Sequence, residues 1–484
     1  MDLANDKPLS RRRQRGTLAI VCLATMILCL DMAVANSALP SIARHLHAGL
    51  GGVQWVVDAY TLTLAAFVLS AGSTADRRGR RLVFITGTVI FTGASLACAV
   101  SGSVLFLDLA RAVQGMGAAM MFATALAILA HAFPEPRERA GAMAAFGASV
   151  GASFTIGSVV GGGLTSWLGW RSVFYVNFPL GLIALLGTFA LIRESRDPRA
   201  HKLDLPGQAT AATGMFLLVL ALLRGNTDGW GSARTIAELV GAVAMGIAFV
   251  AIEQRVATPM LPLGMFKRRD FTAAQIAAFA ISSTFFAIYL YITLYLQNVL
   301  HLSPLDAGLT YLPGTTVVFI VSGASAKLAE RISPAALLAG GLAMVAGGLA
   351  LLTITAADSS WTVMLPGVLL ASVGTGIFNP TLAHLALSAG PPERSGLLAG
   401  VNDVARQSGI AVGIAAFGAL VPAASALGHG SATAYVAGLH HALIVGAVIA
   451  AAGAVATLAL IGPRRAREPA LRAIGGPAAA GEAA

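Results

Sequence analysis

Apolar residues in this chain come in long unbroken runs separated by short polar segments, and they do not alternate with polar ones. Fourteen runs approach lipid length, at roughly 18–37, 53–72, 82–100, 104–125, 141–164, 172–192, 205–223, 235–252, 271–294, 307–326, 335–356, 361–383, 397–420 and 437–460. A hydrocarbon layer about 30 Å thick is crossed by about 20 helical residues. Strand periodicity is absent, and a helix satisfies every backbone group within its own segment, so the pattern predicts an all-α polytopic membrane protein. The runs from 54–80 and 305–331 each lead through an apolar helix into a Gly and Ala stretch with basic residues beyond. That repeat predicts two six-helix halves around a central cavity, with an extra helix pair over 205–252 between them.

Composition narrows the class further. Of 484 residues only 11% are charged against 56% hydrophobic, with a mean hydropathy of +0.77. A soluble domain carries about 25% charged residues, so a cytoplasmic enzyme is excluded, and the apolar mass excludes disorder. The net charge of +10 does not indicate nucleic acid, because the basic residues sit in short loops and form no continuous basic surface. With the N-terminus inside, 26 of the 32 Lys and Arg residues fall in cytoplasmic segments. The outside loops hold only Arg44, Arg171, Arg224 and Arg234, and Arg111 and Arg406 lie within runs. Basic residues stay on the cytoplasmic side, which predicts both termini there. The basic approach Arg11 to Arg15 also resembles the start of a secretory signal, but thirteen further runs favour a retained first helix.

The predicted organisation is a basic cytoplasmic segment over 1–17, an N-terminal half over 18–192, a linker with two helices over 193–270, a C-terminal half over 271–460, and a cytoplasmic tail over 461–484. Cys22, Cys29 and Cys98 lie in apolar runs and read as packing groups, and no metal-ligand spacing is present. No Walker A motif occurs, so ATP is not expected to drive this chain alone, and no cofactor is expected. No obligate protein partner is evident.

Ionisable residues within the runs are the strongest functional signal, since such groups usually line a cavity. At 1.5 Å per residue, Asp31 lies roughly 10 Å below the outer surface, and Arg111 is at nearly the same depth. Asp31 reads as a proton-titrating carboxylate with Arg111 as partner, or as half of a fixed structural pair. Asp58 and Asp108 sit slightly nearer that surface; Asp58 is a proton carrier or a vestibule residue, and Asp108 a same-helix partner for Arg111 or a proton carrier. In the thirteenth run, Asn402, Asp403, Arg406 and Gln407 form either a pair within the helix or a polar wall of the substrate path. Gly157, Gly161 and Gly162 in the fifth run, like Gly115 after Arg111, mark close helix contacts.

Several linked motifs resemble those of the fourteen-helix drug:proton antiporters of the major facilitator superfamily, over roughly 14–462. The segment Leu30 to Pro40 is similar to the first-helix signature, with Ala35 where valine is expected before Asn36. The segment Gly72 to Arg81 resembles the motif between helices two and three, in which Gly72 permits close approach and Asp76 accepts hydrogen bonds from a helix start. The resemblance implies that Gly72, Asp76, Arg77, Gly79 and Arg80 act as a latch between the halves. Arg111, Gln114, Gly115 and Gly117 resemble the motif whose arginine takes part in proton coupling. Gly157 to Gly162 resembles the antiporter motif with Ser158 where proline is usual, and 170–181 with Arg406 to Gly409 supplies further landmarks. The resemblance thus implies a major facilitator fold, and proton-driven export of a small lipophilic drug, antibiotic or metabolite across the plasma membrane. A proton-coupled carrier of another metabolite, or a membrane sensor or assembly protein, is the alternative.

Overall fold

A computed structural model describes residues 10–196, 204–225, 228–329, 331–388 and 395–462. Lys7, Arg199, Lys202, Arg394 and the tail beyond 462, all used in the orientation argument, lie outside the described residues. Among the described residues thirteen helices are long and apolar enough to cross a membrane. They are α1 (Arg11–Leu46), α2 (Leu50–Arg78), α3 (Arg80–Ala99), α4 (Val104–Ala132), α5 (Pro136–Leu168), α6 (Ser172–Leu191), α7 (Leu205–Gly225), α8 (Ala233–Glu253), α9 (Arg269–Val299), α10 (Pro304–Ser325), α11 (Pro334–Ile354), α12 (Trp361–Ala386) and α14 (Ala432–Ile461). The fourteenth, α13 (Ser395–Gly418), is equally helical and carries Asn402, Asp403, Arg406 and Gln407, which lower its apolarity. The chain is a multi-pass all-α membrane protein with two six-helix halves and an added pair.

Helix starts follow local chemistry. Ser103, Ser232, Ser303, Ser333 and Ser431 each accept a backbone N–H three residues on, satisfying a donor with no partner inside the helix. Pro304 and Pro334 stand at the first helical turn, where the missing N–H costs nothing. Two expected helices are less regular than their hydropathy implies. α10 begins at Pro304 and breaks at Tyr311, and α9 contains π-helical turns at Ser282–Phe286 and Tyr295–Val299.

The halves meet along two seams. α2 packs on α13, and α10 packs on α5, so the second helix of each half crosses to the other, in keeping with the internal repeat. α7 lies against α2 and α13 and pairs with α8, whose Val240, Val243 and Ile247 face outward. We use "basic end" for the end carrying Arg77, Arg78 and Arg139, and "far end" for the opposite one. Among the described residues six inter-half hydrogen bonds gather toward the far end. Gln297 donates to the Ser37 carbonyl (2.9 Å), Arg44 to Asn298 (3.4 Å), Gln54 to the Tyr291 hydroxyl (2.8 Å) and the Ile414 carbonyl (3.0 Å), the Leu305 N–H to Ser166 (3.0 Å), and Ser158 pairs with the Tyr289 hydroxyl (2.7 Å). Gly162 fits there against the Pro304 carbonyl, where a Cβ would stand 2.4 Å from the oxygen. Toward the basic end the α5–α10 seam parts, and Gly147, Gly151 and Gly323 meet nothing within 4 Å. The α2–α13 seam stays packed, with Leu69 against Gly400. Hydrogen bonding between the halves is thus concentrated toward the far end, and the α5–α10 seam is looser toward the basic end.

Candidate functional site

Asp31 sits on the face of α1 turned into the N-terminal half and is 1% exposed, as is Arg111 on α4. One Arg111 Nη donates to Asp31 Oδ2 at 2.5 Å and to Gln114 Oε1 at 2.7 Å, and Nε donates to the Val56 carbonyl at 2.9 Å. Arg111 and Gln114 are three residues apart on α4 and share a face. Gln114 Nε2 donates to Asp31 Oδ1 (2.9 Å) and to Ser95 Oγ (2.7 Å); Asn177 Nδ2 donates to the same two atoms, at 2.6 and 3.2 Å. The guanidinium carbon lies 4.4 Å from the Tyr60 ring centroid and 5.8 Å from that of Phe174. Four helices thus hold one carboxylate in a closed set of charge-assisted bonds. Chemically, a proton arriving at Asp31 would remove the charge that Arg111 and two amides are oriented to meet.

Asn177 and Ser95 were not singled out in the sequence. Asn177 carried a signal within the landmark segment 170–181, whereas Ser95 is an ordinary small polar residue in an apolar helix. Gly115 lets α4 approach the Tyr60 carbonyl of α2, and Gly157 and Gly161 let α5 approach α1 at Ala33 and Val34, keeping these helices close around Asp31. Cys22 and Cys29 are half-buried, and Cys98 is buried beside Gln114; all three are free thiols.

The other acidic candidates behave differently. Asp58 is not a vestibule residue: it is fully buried, and neither carboxylate oxygen has a hydrogen-bond partner among the described residues. Asp108 is not the ion-pair partner of Arg111, which turns to Asp31 instead, and its Oδ1 is likewise unpartnered. On α13 the expected pair within the helix does not form. Among the described residues Asp403 accepts only from Gln407 (3.4 Å), while Arg406 points to the Phe286 ring, with its guanidinium carbon 5.5 Å from the centroid. Asn402 donates to Gln275 at 3.5 Å. Ser158, at the position where the antiporter motif usually has proline, donates along its helix to the Phe154 carbonyl and pairs with Tyr289 across the seam.

At the basic end, Gly79 adopts φ +121° between α2 and α3, a conformation glycine tolerates, and a Cβ there would strike the Glu194 carboxylate. That carboxylate accepts the Arg81 and Leu82 N–H groups at 3.0 and 3.1 Å, placing negative charge at the start of α3. Glu194 therefore fills the helix-start role expected of Asp76. Asp76 accepts instead from Arg80, four residues on, at 2.9 Å. Arg77 is exposed, and a Cβ at Gly72 would make only ordinary contact with Ala123 at 3.9 Å, so no close approach requires the glycine. The hydrogen bonds of this motif stay within the N-terminal half, and in this conformation they do not bridge the halves.

Comparison with known proteins gives a consistent picture. Residues 21–414 match the family model described as Major Facilitator Superfamily. The chain is 36% identical over 415 residues to the multidrug resistance protein Stp of Mycobacterium tuberculosis, covering 85% of this chain and 76% of that protein. It is also 36% identical over 402 residues to the puromycin resistance protein pur8 of Streptomyces alboniger, covering 82% and 80%. Among solved structures, the human organic anion transporter MFSD10 (TETRAN) superposes with a TM-score of 0.63 at 16% identity, over 92% of this chain and 99% of that one, a likeness of fold.

Proposed function

This chain belongs to the major facilitator superfamily, is homologous to its multidrug-resistance members, and works as a secondary active transporter, not an enzyme; we propose that it exports lipophilic drugs, antibiotics or related metabolites, driven by proton influx. The observation that carries this reading is the Asp31–Arg111 pair, sealed at 1% exposure on both sides and surrounded by amide donors. An ion pair in a low-dielectric interior holds its helices in one arrangement, and protonating the carboxylate removes that preference. In the proposed cycle, a proton entering from outside neutralises Asp31 as substrate leaves, and release to the cytoplasm restores the pair. Asp58 and Asp403 are secondary proton-coupling candidates. Gly72, Asp76, Arg77, Gly79 and Arg80 form a conformational motif that latches the halves together in another conformation. Gln114, Gly115, Gly157, Ser158, Gly161, Gly162, Asn402, Arg406 and Gln407 supply helix packing and cavity wall.

The proposed orientation puts the basic end and both termini in the cytoplasm of a bacterial inner membrane, with units at 1–17, 18–192, 193–270, 271–460 and 461–484. Single cysteines at positions 230 and 427 are then expected to label from outside, and one at 78 only from inside. The functional test uses purified protein in liposomes with an imposed proton gradient. Accumulation of puromycin or another lipophilic antibiotic that collapses with an uncoupler is expected, and accumulation indifferent to the gradient would rule the coupling out.

A further inference from the structure

The charged side chains in the middle of the bundle differ in whether anything can reach them. Asp31 and Arg111 are 1% exposed and satisfy each other; Asp58 is 0% exposed; Asp403 is 6% exposed, and its free oxygen is sealed inside the protein. Arg406 alone of this set is partly exposed, and among the described residues its guanidinium makes no ion pair and no hydrogen bond. It lies on α13 beside the π-helical turn Ser282–Phe286 of α9, which Gly409 and Gly413 approach at backbone distance. That turn presents Phe285 and Phe286, both partly exposed, with ring centroids 5.5 Å apart. Phe154 of α5 packs on Phe286 with ring centroids 5.8 Å apart, joining the two halves. Ser158 and Tyr289, one turn toward the far end on these helices, are hydrogen-bonded to each other at 2.7 Å.

A partly exposed guanidinium beside an aromatic wall, with Asp403 near it but not hydrogen-bonded to it, has its N–H donors free for an acidic ligand. A guanidinium matches a carboxylate through two parallel N–H bonds, and flat rings stack on phenylalanine faces. The nearest carboxylate, Asp403, cannot serve a cationic ligand, because its oxygens are buried. Resting on the exporter reading above, we propose that Arg406 with Phe154, Phe285 and Phe286 forms a subsite selecting flat aromatic compounds that carry an acidic group, the guanidinium taking the acid and the phenylalanines the ring.

The test uses anthraquinone-2-carboxylate and its uncharged methyl ester. Binding is measured on the purified full chain, and transport in proteoliposomes with an imposed proton gradient. Wild type is expected to bind the acid at least about tenfold more tightly than the ester, a difference of about 1.4 kcal/mol. Arg406→Gln is expected to remove that preference while leaving ester binding unchanged, and Arg406→Lys to keep part of it. Unchanged ester binding also shows that the variants are folded. Equal binding of acid and ester by wild type, or equal weakening of both in Arg406→Gln, would overturn the subsite. Discrimination in binding without proton-driven transport of either compound would leave the subsite standing and bring down the exporter reading instead.

Discussion

Each half of this bundle places an arginine and an aspartate within its apolar helices, and the two halves treat them in opposite ways. In the N-terminal half Arg111 and Asp31 are locked at 2.5 Å, and Gln114 and Asn177 donate to the remaining carboxylate oxygen. In the C-terminal half Asp403 and Arg406 are one helical turn apart and do not pair; the acid has one bond of 3.4 Å and the guanidinium faces a phenylalanine. A saturated pair suits a step in which one proton changes the charge of a rigid site. An unpaired and reachable cation suits a partner that comes and goes. On this proposal energy coupling belongs to one half and substrate contact to the other.

The largest expected effect is at the saturated pair. Asp31→Asn leaves Arg111 buried without its counter-charge and is expected to cost about 3–5 kcal/mol of stability, read as lost thermal resistance of the purified protein. Adding Arg111→Met removes the orphan charge and should restore most of that stability without restoring proton-driven transport. Equal stability of Asp31→Asn and wild type would mean that the pair is not the tight one described. Next in size is Asn177→Ala, which withdraws a donor 2.6 Å from a buried carboxylate and is expected to cost about 1.5–3 kcal/mol. Its counterpart in the other half, Gln407→Ala, removes the 3.4 Å bond to Asp403 and should cost at most about 1 kcal/mol. If denaturation gave the reverse order, the contrast between the halves would fail. The smallest effect belongs to Asp76→Asn. The Asp76–Arg80 pair is partly exposed, so about 0–1 kcal/mol is expected, with any larger change confined to the rate of conformational exchange seen by stopped-flow fluorescence.

Much of the fold could be read from the chain because hydrocarbon permits few solutions: fourteen apolar runs correspond to fourteen helices. Irregularities inside helices were harder to see. The π-helical turn Ser282–Phe286 of α9 lies against Gly409 and Gly413, and α10 meets the Ser158 carbonyl at Gly308 just before its break at Tyr311, contacts that hydropathy does not register. The meeting of Asp31 with Arg111 followed from their equal depth. The rest of the network did not, because Asn177, which donates to Asp31, and Ser95, which accepts from Asn177 and Gln114, are brought in by α6 and α3, 146 and 64 positions from Asp31 along the chain. Sequence spacing also overstated pairing within a helix. Asp108 with Arg111 and Asp403 with Arg406 are correctly spaced, yet partners from other helices take the guanidinium in both cases. Glu194 escaped notice because capping across 113 positions leaves no local signature.

The most direct test of the central claim follows proton release on drug binding by the purified protein as pH is varied, comparing wild type with Asp31→Asn/Arg111→Met so that stability is held level. Wild type is expected to release protons when substrate binds and to accumulate drug against its gradient. The double variant should bind drug, release none and only equilibrate it. Proton release and uphill accumulation by the double variant at wild-type levels would contradict the account, making the Asp31–Arg111 pair structural and passing the coupling role to Asp58 or Asp403.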